Sequence, residues 1–285
     1  TGKPRPYMIT ADQLTYTDGG RWPTWADGRG ASLELRDPRS HNDVPEAWAD
    51  SDESGKTQWQ QFSFTIGGSD SHYSHASTNI FDMMLLNAGE ILLDDVEVLF
   101  DSSHRVTNGG FESGPSSWRI LGNHVRSFVT PEESRSGARA LHLIATGHGD
   151  PGANRINQSI SGPGGAAITF RGWARWLRGS RFLLLRTARE LSPRQPPWPS
   201  HAFELDVPLD LGTPGRRNSV HLANRGPDIR EVRHVPVIPK AGEAVVITAR
   251  VEDNDGVGAV ALYHRYEGAG PFVSMPMLDD GQGDD

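Results

Sequence analysis

Short alternating stretches, separated by turn clusters, run the length of this chain and leave little room for helices. Residues 32–35 (SLEL) alternate apolar with polar side chains, as do 58–66 (QWQQFSFTI), 140–144 (ALHLI), 167–173 (AITFRGW) and 244–251 (AVVITARV). A period of two is the mark of a strand with one face buried. Between the stretches lie DGG, ADGRG, IGGSD, TNGG, GHGDPGAN, SGPGG, NRGPD and DNDG, whose Gly, Asn and Asp supply the backbone angles of tight turns. The best helical candidate, 44–52, is short and follows a capped turn at Asn42-Asp43-Val44-Pro45. Strands at this spacing predict an all-β protein built of β-sandwiches.

Composition narrows the functional classes. The chain has 285 residues, enough for two domains or three small ones, and only 36% are hydrophobic, too few for one large core. A net charge of -8 argues against a generic electrostatic grip on nucleic acid. No stretch approaches the roughly 20 apolar residues of a membrane span. Cysteine is absent, which excludes disulfides, thiolate nucleophiles and Cys-zinc sites. There is no Gly-x-Ser-x-Gly elbow, phosphate-binding loop or dinucleotide fingerprint. The pair His72 and His75 sits in a loop with no third ligand beside it, and Glu90, Glu97 and Glu204 stand in no distinguishing context. The expectation is a non-enzymatic chain.

Three resemblances organise the sequence. Residues 18–52, with the Trp22-Pro23 turn, Asp27-Gly28-Arg29-Gly30, the strand at 31–35, Asp37-Pro38, Asn42 and Trp48, resemble the second half of a lamin-tail domain, an immunoglobulin-like sandwich. That domain's closing turn appears far downstream, at Gly212-Thr213-Pro214-Gly215-Arg216-Arg217-Asn218. The stretch at 57–189 is similar to jelly-roll modules of the carbohydrate-binding type. Its opening signals are 106–112 (VTNGGFE), Trp118, 136–143 (SGARALHL) and 170–175 (FRGWAR); its closing signals are 59–64 (WQQFSF) and 91–96 (ILLDDV). Residues 226–285 resemble an immunoglobulin/fibronectin-like module, with a strand at 244–251, a hairpin turn at 253–256 and a return strand at 260–266. The combination resembles large secreted bacterial proteins that also carry a spore-coat-kinase-like domain.

The closing signals of the jelly roll precede its opening ones. In such a fold the first and last strands are neighbours, so a short loop at 100–105 joins them at small entropic cost. The expected layout is a circularly permuted jelly roll at 53–208 set into a lamin-tail-like sandwich (1–52, closed by 209–219), followed by a truncated immunoglobulin-like module at 226–285. Two incomplete jelly rolls in tandem are the alternative. Both chain ends read as cuts in a larger polypeptide.

The resemblance to jelly-roll modules implies a structural calcium ion, with Glu112 and Asp95 or Asp94 as ligands. Adjacent strand residues face opposite ways, so one of the two aspartates is expected to reach it. Sugar recognition needs an apolar platform with a few placed polar groups. Trp59, Trp118 and Trp173 sit at strand positions that suggest core, whereas Trp176 is the expected exposed platform and Tyr73 a rim residue. The donor-rich loops at 122–126 and 147–155 supply His124, Arg126, His148, Asp150, Asn154 and Arg155 for an acidic or hydroxyl-rich glycan. Together these readings predict an extracellular or cell-surface chain that binds a polysaccharide or cell-surface glycan. The alternative is a structural spacer or protein–protein adhesion array.

Overall fold

The computed structural model describes residues 13–67, 78–189, 200–265 and 270–282. Tyr73, His72 and His75 lie outside the described residues, as does most of the Pro-rich stretch after 190. The fold is nearly all β, with several antiparallel sheets and no helix beyond short 3-10 turns among the described residues. Among those residues no helix is long and apolar enough to cross a membrane. The chain divides into two compact units, one of Thr24–Leu33 and Asp50–Ser219, the other of Thr1–Pro23, Glu34–Ala49 and Val220–Asp285. The first two strands, β1 (Leu33–Leu35) and β2 (Trp48–Asp50), pair with each other.

The larger unit is a two-sheet sandwich. Its strands are β3 (Gln60–Ile66), β4 (Thr78–Leu85), β5 (Gly89–Phe100), β6 (Ser103–His104), β7 (Arg119–Ile120), β8 (Phe128–Thr130), β9 (Ala140–Ala145), β10 (Ile156–Gly162), β11 (Ile168–Gly179), β12 (Phe182–Ala188) and β13 (Ser200–Glu204). One sheet has the order β13-β12-β4-β10-β7, the other β3-β11-β5-β9-β8, with β6 paired to β5. Strands from before and after the hairpin at Asp101 pair with each other in both sheets, so the two stretches build one core. The period of two delivers that core. Phe81, Met83 and Leu85 of β4 and Leu183 and Leu185 of β12 are buried with Ile91, Leu93, Val98 and Phe100 of β5 and Phe170 and Ala174 of β11.

Three local expectations change. Residues 44–52 do not form a helix: Pro45–Ala47 makes one 3-10 turn and β2 follows at once. Backbone pairing of Arg36 N–H with Ala47 C=O (2.8 Å) and the bond from Trp48 Nε1 to Asn42 C=O (2.7 Å) hold this stretch extended. Residues 106–112 form no strand. The Asn108 side chain donates to Gly114 and Ser116 carbonyls (both 2.9 Å) and accepts Ser113 N–H, winding the chain around itself and seating Phe111 in the core. In the second unit, β14 (Asp228–Val235) pairs with β15 (Val246–Glu252), and the turn at 253–256 is closed by Gly256 N–H to Asp253 C=O. The next strand, β16 (Val260–His264), pairs forward with β17 (Val273–Met277) instead of returning to β15.

Candidate functional site

Strand β11 decides where aromatic surface is available. Phe170, Gly172, Ala174 and Trp176 point into the sandwich, while Arg171, Trp173 and Arg175 point outward. Trp176, the expected platform, is therefore 1% exposed; its Nε1 donates to Gly179 C=O (3.0 Å) inside the core. Trp173, expected in the core, is half-buried on the outer face and lines a pocket of about 270 Å³ with Gln61, Asp95, Glu97, His104 and Arg171. Arg135 lies 4.2 Å over its ring. Trp118 is buried as expected, whereas Trp59 is half-buried.

A β-bulge shapes this pocket. Arg171 pairs with Glu97 and Trp173 with Asp94, so Asp95 and Val96 of β5 stand opposite Gly172 alone. Asp95 takes up the extra residue with φ 50°, a left-handed backbone that Asp tolerates better than most side chains. The bulge cancels the expected opposite facing of the two aspartates. Asp94 Oδ2 accepts the backbone N–H of Arg135 (2.8 Å) and Ser136 (3.0 Å), and Asp95 Oδ1 accepts the Ser136 hydroxyl (2.7 Å). Asp94 Oδ1 accepts Asp95 N–H (2.8 Å). Glu112 Oε1 joins from another segment, accepting N–H from Ala138 (2.9 Å) and Arg139 (3.2 Å). Burial raises the Asp94 pKa, and these N–H groups oppose that rise.

All three proposed calcium ligands thus anchor one loop through N–H and O–H donors. These bonds occupy Asp94 Oδ2, Asp95 Oδ1 and Glu112 Oε1 with protein donors. Among the described residues, no group of three or more His, Cys, Asp or Glu is placed to hold a metal ion.

The donor-rich loops do come together, but mostly to satisfy each other. Asn123 N–H donates to Asn154 Oδ1 (3.0 Å), Asn123 Nδ2 to His148 C=O (2.7 Å), and Leu121 N–H to Arg155 C=O (2.9 Å). Asp150 is spent on its own turn, accepting N–H from Gly152 and Ala153 and the amide of Asn154. Arg155, expected at a ligand site, is 6% exposed and ion-paired with Asp82 (2.9 Å). His124, also expected there, is fully buried, with Nε2 accepting Leu85 N–H (3.2 Å). Arg126 and His148 remain exposed. The other carboxylates are paired: Glu90 with His142 and Arg178 (both 3.0 Å), Glu97 with Arg171, and Glu204 with Arg181 (2.6 Å). Burial raises the Glu90 pKa, but His142 and Arg178 outweigh it and hold the group below its ordinary value.

Desolvation pushes the His124 pKa down from 6.5 to about 4. In the unfolded chain the imidazole regains its ordinary value and binds a proton that the folded chain refuses. Stability is therefore unaffected above about pH 6.5, falls between pH 6.5 and 4, and loses no more below that. Urea melts at pH 7 and pH 5 should differ by about 2 kcal/mol from this group. His124→Gln, which retains an acceptor for Leu85 N–H, should lack that increment; an identical pH slope in the variant would refute the assignment.

The pocket residues Gln61, Glu97, His104, Arg171 and Trp173 were not legible as a group, since four separate segments contribute them. One signal was available: Arg171 and Arg175 flank Trp173 at a spacing of two, which marks an outward face. No family model, curated protein or solved structure matches the chain.

Proposed function

We propose that this chain is a non-catalytic carbohydrate-binding piece of an extracellular or cell-surface protein, holding a larger polypeptide on a polysaccharide or cell-surface glycan. One observation carries the reading: an indole on the outer face of a sheet, Trp173, shares a pocket with Gln61, Glu97, His104 and Arg171. The ring offers an apolar face to a pyranose, and the amide, carboxylate and guanidinium offer the mixed donors and acceptors that hydroxyls need. Asp95 and Glu97 are both engaged, by the Ser136 hydroxyl and by Arg171, which suits them to hold hydroxyls as acceptors rather than to act as an acid–base pair. The Arg135 side chain over the ring is exposed, and a cation–π contact at such a site is worth about 0.5–1 kcal/mol, so a stacked sugar can replace it.

The test is retention of the folded chain on a panel of insoluble polysaccharides, competed by the matching soluble oligomer. Retention should fall about tenfold or more in Trp173→Ala, equivalent to about 1.4 kcal/mol, with the protein still folded. No retention on any polymer would favour the structural spacer. Retention that survives the substitution would place the sugar elsewhere.

A further inference from the structure

The geometry points to a second binding site, for an anionic sugar held through its carboxylate or sulfate group. It is the cleft of about 580 Å³ at the end of the sandwich where the β4–β5 and β11–β12 turns meet. Arg29, Asn87, Thr146, His148, Ser180 and Arg181 line it, and among the described residues no carboxylate does. That is a notable exclusion in a chain with 36 acidic and 28 basic side chains. A cleft lined by cationic and neutral donors concentrates anions.

The cations are available. Arg29 is exposed, and its one recorded side-chain partner among the described residues is the Trp25 indole, 6.0 Å from the guanidinium. Arg181 pairs with Glu204 at the surface (2.6 Å), both about half exposed. Such a pair contributes at most about 1 kcal/mol and exchanges readily for a bidentate anion. His148 Nδ1 faces Leu86 C=O (3.0 Å), an acceptor, so Nδ1 carries the proton and fixes the ring at the cleft wall.

The walls are fixed before any ligand arrives. Ser180 N–H donates to Ala88 C=O (2.8 Å), Leu86 N–H to Phe182 C=O (3.0 Å), and Gly179 N–H to Arg29 C=O (3.0 Å). Gly179 has φ 72°, and a Cβ there would stand 2.4 Å from Trp25, so the two turns and the 24–30 segment close up only because this residue has no side chain. A site held by backbone bonds loses little entropy on binding.

The experiment is equilibrium titration of the whole chain at about 50 mM and about 300 mM salt. The probes are an oligogalacturonate, a heparin-derived sulfated oligosaccharide, a neutral cello-oligosaccharide and inorganic sulfate. One or both acidic oligosaccharides should bind, more weakly at high salt, and which of the two binds identifies the anionic group. Arg29→Ala with Arg181→Ala should weaken that binding about tenfold or more without lowering the melting temperature. Arg29→Gln alone serves as the second variant should the double one melt early. Trp173→Ala should leave it intact, because Trp173 lies outside this cleft, so failure of the sugar pocket and failure of this cleft are distinguishable. The inference is overturned if neither acidic probe binds, if inorganic sulfate binds as tightly as the oligosaccharides, or if the arginine variants bind like the parent chain.

Discussion

Trp176→Ala should cost the sandwich about 3–5 kcal/mol, the range for truncating a large core aromatic. The residue is 1% exposed, donates its indole N–H to Gly179 C=O, and lies against Gly30 as well as the main core. Removal leaves both a void and an orphaned carbonyl, so the loss exceeds that of burial area alone. Denaturant melts of the two tryptophan variants make the comparison internal. Trp173→Ala, on the outer face, should shift stability by about 1 kcal/mol or less. A Trp176→Ala protein as stable as the parent but deficient in glycan retention would reverse the assignment of the two residues.

A loss of similar size is expected at Asp82. This carboxylate is fully buried, with Arg186 on Oδ2 (2.7 Å) and Arg155 on Oδ1 (2.9 Å), both guanidiniums nearly buried too. Burial raises its pKa, and the two guanidiniums pull it back. Asp82→Ala should destabilise the sandwich by about 3–5 kcal/mol, because two buried cations lose the carboxylate between them. The cost lies in the uncompensated charges. Replacing Asp82, Arg155 and Arg186 together by apolar residues of similar volume should therefore recover much of the loss. A triple variant no better than Asp82→Ala would show that the cluster contributes specific bonds beyond charge balance.

Much of the strand pattern was legible, because a half-buried strand writes its facing into every second residue. The stretch 58–66 holds β3, 140–144 lies within β9, and 167–173 overlaps β11. What the sequence hid was set by side chains bonding across segments. Asn108 winds 106–112 into a turn, as its TNGG cluster indicated and the family resemblance did not, and Asn42 and Arg36 draw 44–52 out of helix. The burial of the two strand tryptophans was misread for a different reason. Strand position was read as burial for Trp173, although its neighbours Arg171 and Arg175 place it on the solvent face and Phe170 places Trp176 inside. His124 and Arg155 looked like loop donors, and nothing local reveals that Leu85 N–H and Asp82 wait for them across the sandwich.

The central claim is that a sugar stacks on Trp173. With the indole groups isotopically labelled, each of the 8 tryptophans gives its own Nε1–H signal in a nuclear magnetic resonance titration. The oligosaccharide that best competes polymer retention should move the Trp173 signal in a saturable way and leave the buried Trp118 and Trp176 signals in place. A stationary Trp173 signal at saturating oligosaccharide, or a shift confined to another tryptophan, would contradict it.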